Sequence, residues 1–206
     1  VMLDEPYANF CKTSNIPKSK NNLSIMLSLG GGGDMTIIGK LVEKLLNHAP
    51  KNIDFLVQPV IGYFASHKEV ISSIAEKDSR VKPISHARSL YDYFKTATLY
   101  IGSAGSTLYE ILSMGIPAVT FVLSQNQFNS LNHLEDLGHY FHLNEFGEDS
   151  YDKLVELAWI IILNINRIQN LYDAPKNLEI DGLGAERVAK AINSLLKNCD
   201  KNQSSF

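Results

Sequence analysis

Short apolar runs alternate along this chain with longer stretches in which apolar residues recur every three or four positions. The first pair shows the pattern. Ser24–Leu29 is an apolar run typical of a buried strand, and the spacing from Met35 to His48 is that of a helix with one buried face. We expect Pro59 to end the second strand. The predicted strands cover residues 24–29, 53–57, 81–84, 99–101, 117–123 and 140–143, and the predicted helices cover residues 35–48, 63–76, 90–96, 107–114, 150–172 and 184–196, with a further helix ending at residue 137.

This alternation predicts an α/β fold, a Rossmann-like parallel sheet of about six strands with helices on both faces. Folds of this class bind ligands at the carboxyl ends of their strands. Three unusual turns follow predicted strands, at Gly30–Asp34, Ile84–Ser89 and Gly102–Thr107. We therefore expect these three turns to meet at one edge of the sheet.

The turn after the fourth strand carries the strongest indication of a ligand. Gly102 and Gly105 are expected to let the backbone turn tightly, and the serines and the threonine of the same turn are good helix caps. A helix that begins there points unpaired N–H groups out of the turn, which favours a phosphate. Glu110 lies in the first turn of that helix, where its carboxylate can accept hydrogen bonds from two neighbouring hydroxyls. Phosphate donors beside an acceptor for a diol indicate a nucleotide.

The same spacing has a purely structural interpretation. Thr107 and Glu110 also match a capping box, in which the glutamate only satisfies backbone N–H groups at the helix start. The spacing alone does not decide between a ribose contact and a cap, so both remain open at this point.

Length and composition limit the class of protein. The chain has 206 residues, of which 45% are hydrophobic, and a net charge of −3. These values are typical of one globular domain, which we place at residues 21–197 between an anchoring segment, 1–20, and a tail, 198–206. The slight acidity and the lack of a Lys/Arg block argue against a nucleic-acid partner or an anionic membrane surface.

The cysteines and the longest apolar run indicate a cytoplasmic protein. Cys11 and Cys199 lie near opposite ends of the chain and are most simply free thiols in a reducing compartment. The run from Leu154 to Leu163 contains Glu156 and is about half the length of a membrane span, so we expect a buried helix face there. The chain begins at Val1 rather than Met, and we make no prediction about a signal peptide.

Familiar nucleotide and metal motifs do not fit. A dinucleotide-binding turn would need glycine or alanine where Met35 stands, and a P-loop would need glycine in place of Asp34 and a hydroxyl residue in place of Leu41. No Asp-x-Asp pair or His-Glu-x-x-His sequence is present. His139 and His142 lie near a predicted strand, where core or surface histidines are more common than ligands.

Three stretches taken together resemble a known family. Leu23–Asp34, Gly102–Glu110 and Asp181–Val188 resemble the C-terminal half of the UDP-sugar hydrolase of pseudaminic acid biosynthesis and the related spore-coat polysaccharide proteins. Leu3–Phe10 is similar to the segment that joins the two halves in that family. More distantly, the chain resembles the C-terminal domain of the peptidoglycan glycosyltransferase that uses UDP-N-acetylglucosamine.

The resemblance implies a GT-B arrangement of two Rossmann-like domains, of which this chain is the donor-binding one. It implies a diphosphate between the first and third turns, a ribose at Glu110, a uracil against the second turn and a sugar at the loop after the fifth strand. It implies no metal or other cofactor, and it places the catalytic base in the missing N-terminal half, so no residue here is named catalytic. The chain departs from the family by reading Gly-Gly-Gly-Gly-Asp where relatives carry Gly-Gly-Ser-Asp. The residues implied in binding are Gly31, Gly32, Gly33, Asp34, Ser85, His86, Ser103, Ala104, Gly105, Ser106, Thr107, Glu110, Asn126 and Gln127.

The sequence thus predicts a UDP-sugar-binding domain of a GT-B-type hydrolase or glycosyltransferase in surface polysaccharide or nonulosonate synthesis. We expect the chain to be inactive without an N-terminal domain or a partner subunit. One alternative is a non-catalytic nucleotide-binding subunit of a split glycosyltransferase, which an exposed apolar patch around Tyr7, Phe10 and the helix at 150–172 would support. Another is a Rossmann-like domain for some other phosphorylated metabolite, with Glu110 only a cap.

Overall fold

The computed structural model describes residues 3–7, 23–125, 127, 140–143, 145–164 and 182–203. Several predictions lie outside the described residues, among them the helix ending at residue 137, Cys11, Phe10 and Asn126. The strands are β1 (Leu23–Ser28), β2 (Gly32–Asp34), β3 (Phe55–Ile61), β4 (Phe64–Ser66), β5 (Ile84–Ser85), β6 (Leu99–Ser103), β7 (Ala118–Phe121) and β8 (Tyr140–Leu143). The helices are α1 (Met35–Asn47), α2 (Lys68–Lys77), α3 (Tyr91–Phe94), α4 (Thr107–Ser113), α5 (Ser150–Leu163) and α6 (Gly184–Gln203).

Six of the strands form one parallel sheet in the order β5-β3-β1-β6-β7-β8. From β1 the chain moves outward to β3 and β5, and then returns to place β6 on the other side of β1. The order of strands therefore reverses between β1 and β6, where their ends pair in the register Ser28 with Gly102. In open α/β sheets such a reversal opens a crevice at the carboxyl ends of the strands. The predicted α/β fold with a six-stranded parallel sheet is confirmed.

Alternate residues of the central strands enter two separate cores, as the pleat of a strand requires. Ile25 and Leu27 belong to the core that is built with α1, α2 and α5, whereas Met26 and Tyr100 belong to the core on the opposite face. That second core contains Tyr7 and the buried residues of α3 and α4. Helices therefore cover both faces of the sheet, as predicted, and the apolar run in α5 is a buried face.

The second strand differs from its prediction because it runs through Pro59 to Ile61. Val57 donates to the carbonyl of Arg80 and accepts from the N–H of Lys82, so Pro59, two residues later, faces the same neighbour. The pairing of β3 with this neighbour is interrupted between the bridge at Val81 and the start of β5. Because Pro59 lies opposite this gap, its lack of an N–H group breaks no hydrogen bond of the sheet.

The helix predicted at residues 63–76 begins only at Lys68, and β4 occupies its first positions. This short strand pairs in parallel with β2, in the register Gly32 with Phe64. The pairing joins the loop after β1 to the loop after β3. The last helix also differs, since it continues beyond residue 196 to Gln203.

Candidate functional site

A cleft of about 670 Å³ lies at the carboxyl edge of the sheet, beside the reversal between β1 and β6. Its walls come from five places along the chain: the turn after β1, the end of β3 with the loop that follows it, the first turns of α2, the segment that starts at β5, and the first turn of α4. All three turns singled out in the sequence contribute to it, so the prediction that they meet at one edge is confirmed. Of the predicted binding residues, the cleft brings together Gly31, Ser85, His86, Thr107 and Glu110.

The backbone comes very close to itself at two glycines near this edge of the sheet. A Cβ atom on Gly102 would lie 2.1 Å from the carbonyl oxygen of Ser28, and one on Gly62 would lie 2.6 Å from the carbonyl oxygen of Gly30. Only glycine allows these contacts. Gly102 therefore serves strand packing rather than a tight turn. A Cβ atom on Gly105 would meet no other atom within 4 Å, and the φ angle of Gly105 is not positive. The prediction that the turn needs glycine at this position is therefore wrong.

Glu110 is half-buried at the cleft, and the phenol of Tyr7 lies near it. Burial raises the pKa of Glu110 above its ordinary 4.5, the nearby Tyr7 phenol lowers it, and the charge of Asp4 raises it. The helix N-cap, Ser106, makes no side-chain capping bond. Within the described residues, no backbone N–H of the first turn of α4 donates to the Glu110 carboxylate. The capping box that the sequence left open is therefore not formed here.

Two cationic side chains line the cleft, and sequence reasoning missed both. Lys68 lies at the start of α2, where Nζ donates to the carbonyl oxygen of Tyr63 at 2.8 Å, and exposed Arg88 follows β5. His86, in the same segment, has φ +56°, in the left-handed region that few residues other than glycine adopt. Arg88 lies within the second of the three predicted turns, and its positive charge could have identified it as a candidate ligand-binding residue. Lys68 had no such signal because it lay within a predicted helix.

The remainder of the glycine-rich turn leaves the cleft. Gly32 and Gly33 lie in β2 and are not among the lining residues. Asp34 is the N-cap of α1, where Oδ1 accepts from the N–H of Thr36 at 2.9 Å and lies 3.0 Å from Nδ1 of His67. These hydrogen bonds, the one from Thr36 foremost, hold the pKa of Asp34 below its usual value. In this structure Asp34 therefore organises a helix start.

The other predicted positions also lie outside the cleft lining. Ser103 and Ala104 are buried at the end of β6, and the Ala104 N–H donates to the carbonyl of Phe121. Gly105 and Ser106 complete that turn without lining the cleft. The Gln127 side chain accepts from the N–H of Leu123 at 2.9 Å, so it closes its own loop.

The patch expected for a split subunit is not exposed at Tyr7, which is 1% accessible. On α5, Ile160 and Leu163 are exposed, whereas most apolar residues of this helix are buried. Tyr7 and most of α5 therefore do not form the exposed apolar patch that would have supported the split-subunit alternative. No helix in the described segments combines the length and the apolar character needed to cross a bilayer. Nor do three or more His, Cys, Asp or Glu residues cluster as a metal site within those segments.

No family model matches the chain. Two curated proteins are similar in sequence. The uncharacterised protein MJ1062 of Methanocaldococcus jannaschii is 28% identical over 113 residues, which cover 53% of this chain and 22% of that protein. The spore coat polysaccharide biosynthesis protein SpsG of Bacillus subtilis is 24% identical over 185 residues, which cover 85% of this chain and 51% of SpsG. The chain thus spans about half or less of the length of these relatives.

Several solved structures share this fold over about half of a longer chain. MurG of Acinetobacter baumannii superposes with a TM-score of 0.66 at 14% identity, over 91% of this chain and 53% of MurG. WaaG, a glycosyltransferase involved in lipopolysaccharide biosynthesis, superposes with a TM-score of 0.61 at 15% identity, over 90% of this chain and 50% of WaaG. A structure from Listeria monocytogenes named for UDP-N-acetylglucosamine 2-epimerase superposes with a TM-score of 0.59 at 14% identity, over 95% of this chain and 49% of the other. The six-stranded Rossmann-like sheet matches one half of a GT-B glycosyltransferase fold.

Proposed function

We propose that this chain is the donor-binding half of a GT-B-type enzyme that acts on a UDP-sugar in surface polysaccharide or nonulosonate synthesis. The observation that carries the proposal is the position of Glu110, whose half-buried carboxylate lines the cleft at the strand reversal without capping its own helix. Similarity to SpsG supports the polysaccharide context, and the resemblance of three sequence stretches to the pseudaminic acid hydrolase supports the nonulosonate one.

A ribose diol fits the acceptor capacity that Glu110 retains. An ionised carboxylate has two oxygens with about four lone-pair positions, and it cannot donate. Even with the nearby Tyr7 phenol taking one of these positions, the others stay open. A vicinal diol offers two O–H donors, so both can bind the remaining positions of the same carboxylate without another acceptor.

The cationic side chains of the cleft lining would suit a diphosphate. Lys68 and Arg88 line the same cleft as Glu110. A guanidinium can bind phosphate oxygens in pairs, and an ammonium acts as a point charge. Gly31 and Thr107 also line the cleft, and Gly31 has no side chain that would keep a phosphate away from its backbone. The lining thus offers cations for a phosphate and an acceptor for a ribose.

The chemistry of the reaction is assigned to residues outside this chain. Positioned donors stabilise a departing nucleoside diphosphate, and this supplies part of the barrier reduction in glycosyl transfer and in hydrolysis alike. The group that activates the acceptor hydroxyl or the water would come from an N-terminal domain or partner. Hydrolysis of a pseudaminic acid precursor is the finer version of the proposal, and it rests on the sequence resemblance.

Isothermal calorimetry of the full chain with UDP, ATP and NAD tests the ligand class, in buffer that contains a chelator. We expect UDP to bind at least tenfold more tightly than ATP or NAD, and the chelator to have no effect. Equal affinity for UDP and ATP would refute the assignment of a uridine nucleotide. Loss of UDP binding on chelation would refute the metal-free mode.

A further inference from the structure

Two neighbouring aromatic residues stand out at the rim of the cleft. Of the large apolar side chains in the described part of the chain, Phe64 and Tyr63 are the most exposed, at 82% and 77%. Neither belongs to the two cores on the faces of the sheet. Tyr63 lines the cleft, whereas Phe64 lies outside its lining. Packing within the fold therefore does not explain the aromatic ring at the cleft, and an exposed ring beside a cleft is typical of a binding surface.

The backbone of this turn is held in place although its side chains are exposed. The carbonyl oxygen of Gly62 accepts from the N–H of Ala65 at 3.2 Å, so the two aromatic residues occupy the central positions of a β-turn. The N–H of Phe64 donates to the carbonyl oxygen of Gly31 at 2.9 Å, where β4 pairs with the loop after β1. The close backbone approach at Gly62 fixes the turn against the same loop. An anchored turn loses less conformational freedom on binding a ligand than a loose one does.

Strand register places Tyr63 between two walls of the cleft. β3 and β5 pair in the register Ile61 with Ser85, so Tyr63, two residues further along, lies beside the start of the segment that follows β5. The pairing of β4 with β2 brings the same turn to the loop after β1. Lys68 donates from Nζ to the carbonyl oxygen of Tyr63 at 2.8 Å. Tyr63 therefore lies next to one of the cations that suit a diphosphate.

The Tyr63 ring has an open face. Its centroid lies 5.0 Å from that of the Phe64 ring, and the two planes are 82° apart. In an edge-to-face pair one ring directs its edge at one face of the other, so at least one face of the Tyr63 ring stays free. Among the described residues that line the cleft, Tyr63 is the only phenylalanine, tyrosine or tryptophan. The lining thus offers a ligand one such flat ring.

We propose that Tyr63 stacks on the base of the bound nucleotide, and that it thereby selects nucleotides over phosphorylated ligands without a base. Of the three parts of a nucleotide, the base is the one with flat π faces, and aromatic side chains stack on such faces. Glu110 is proposed for the ribose and the cations for the diphosphate, which leaves the base for Tyr63. This inference deepens the function proposed above and rests on it for the identity of the ligand.

Proton NMR of UDP with the full chain tests the stacking directly. Protons that lie over an aromatic ring shift upfield, so uracil H5 and H6 should shift upfield on binding to the unaltered chain and to Tyr63→Phe. The upfield shift should be lost in Tyr63→Leu. The phosphorus-31 shifts of bound UDP should be the same in both variants as in the unaltered chain, because the residues proposed for the diphosphate are retained.

UDP affinity gives the second measurement. Tyr63→Leu should weaken UDP binding about five- to a hundredfold, the range expected for loss of stacking on one base, and Tyr63→Phe should retain the affinity. Tyr93→Leu is the matched control, because it removes an exposed phenol outside the cleft lining, and it should leave UDP affinity unchanged. The exposure of Tyr63 means that Tyr63→Leu removes little from the cores, and a thermal melt of each variant checks this.

Unchanged UDP affinity in Tyr63→Leu, or uracil protons that do not shift upfield in the unaltered chain, would overturn the stacking. Upfield shifts of the sugar protons of UDP-N-acetylglucosamine in place of the uracil protons would also overturn it, since the ring would then face the sugar. If the unaltered chain bound ATP but not UDP, and Tyr63 shifted the adenine protons upfield, the proposed uridine ligand would be refuted and the stacking would stand. Binding of neither nucleotide would refute both.

Discussion

Replacing Glu110 with glutamine separates ligand recognition from helix stability. The substitution keeps the length of the side chain and an oxygen that can accept from Tyr7, but it removes the negative charge. In the structure the Tyr7 phenol lies near this carboxylate, and Ser106 provides no side-chain cap beside it. The contacts that stabilise α4 should therefore survive the change.

The expected loss of affinity follows from the bonds that the diol would make. A hydrogen bond to a charged group contributes about 1.5–3 kcal/mol, and a neutral amide offers one acceptor oxygen where the carboxylate offers two. UDP affinity should therefore fall about ten- to a hundredfold. Stability should change little, because a half-buried amide costs less to desolvate than a carboxylate and this offsets a weaker bond from Tyr7. We expect a change in melting temperature of about 2 °C or less.

Calorimetry with UDP and a thermal melt of the same Glu110→Gln sample provide the two measurements. Glu76→Gln on α2 is the matched control, since Glu76 is exposed and lies outside the cleft lining. The unaltered chain should also lose about ten- to a hundredfold in affinity for 2′,3′-dideoxy-UDP, with little further loss in the variant. Retained UDP affinity together with a melting temperature lowered by several degrees would refute the ribose assignment and identify Glu110 as a structural residue.

Four further results are expected. Because burial raises the Glu110 pKa above 4.5, the folded chain takes up a proton there more readily than the unfolded one, so stability from this group is lost as pH rises from about 4.5 through the raised pKa. UDP affinity should fall as pH decreases through the same window, and affinity and melting temperature measured against pH in Glu110→Gln should lack both trends. Gly102→Ala should destabilise the chain by about 1–3 kcal/mol in urea unfolding, since its Cβ would meet the Ser28 carbonyl, whereas Gly105→Ala should be neutral or slightly stabilising. Asp34→Ala should lower the melting temperature by a few degrees, because it removes the helix cap, and it should leave UDP affinity unchanged. A large loss of UDP affinity would instead support the predicted role of Asp34 at the diphosphate. The purified chain should release no sugar from a UDP-2,4-diacetamido sugar above a boiled control, because half of the catalytic groups are expected elsewhere.

The sheet was predictable from sequence because each main strand and helix carries its own local pattern. The run from residue 24 and the helical spacing from Met35 needed no knowledge of the rest of the chain. β2 and β4 were not predictable in this way, since their pairing joins loops about 30 residues apart and each has only three residues. Pro59 was misjudged for the same reason, because its tolerance depends on a gap in a neighbouring strand.

The candidate site was predictable to the level of its segments rather than its side chains. The rule that ligands bind at the carboxyl ends of parallel strands correctly brought the three turns together. It could not tell that Asp34 would turn away to cap α1, or that Lys68 would reach the cleft from a helix start. Tyr7 lies in the predicted anchoring segment and is buried, but its place beside Glu110 depends on tertiary structure alone.

The reversal between β1 and β6 also affects the order in which the chain can fold. The strands from β1 to β5 can pair through contacts that are nearer in sequence. In contrast, β6 joins β1 only when the whole stretch between them is brought together, and the Tyr100 hydroxyl donates to the Ser28 carbonyl across 72 positions. The cleft has walls on both sides of that junction, with Gly31 on one side and Glu110 on the other. A nucleotide that contacts both walls would hold the two segments together, and it would have to dissociate before they could separate. Bound UDP should therefore slow hydrogen exchange of the β6 amides more than that of β3, which belongs to the early-forming segment.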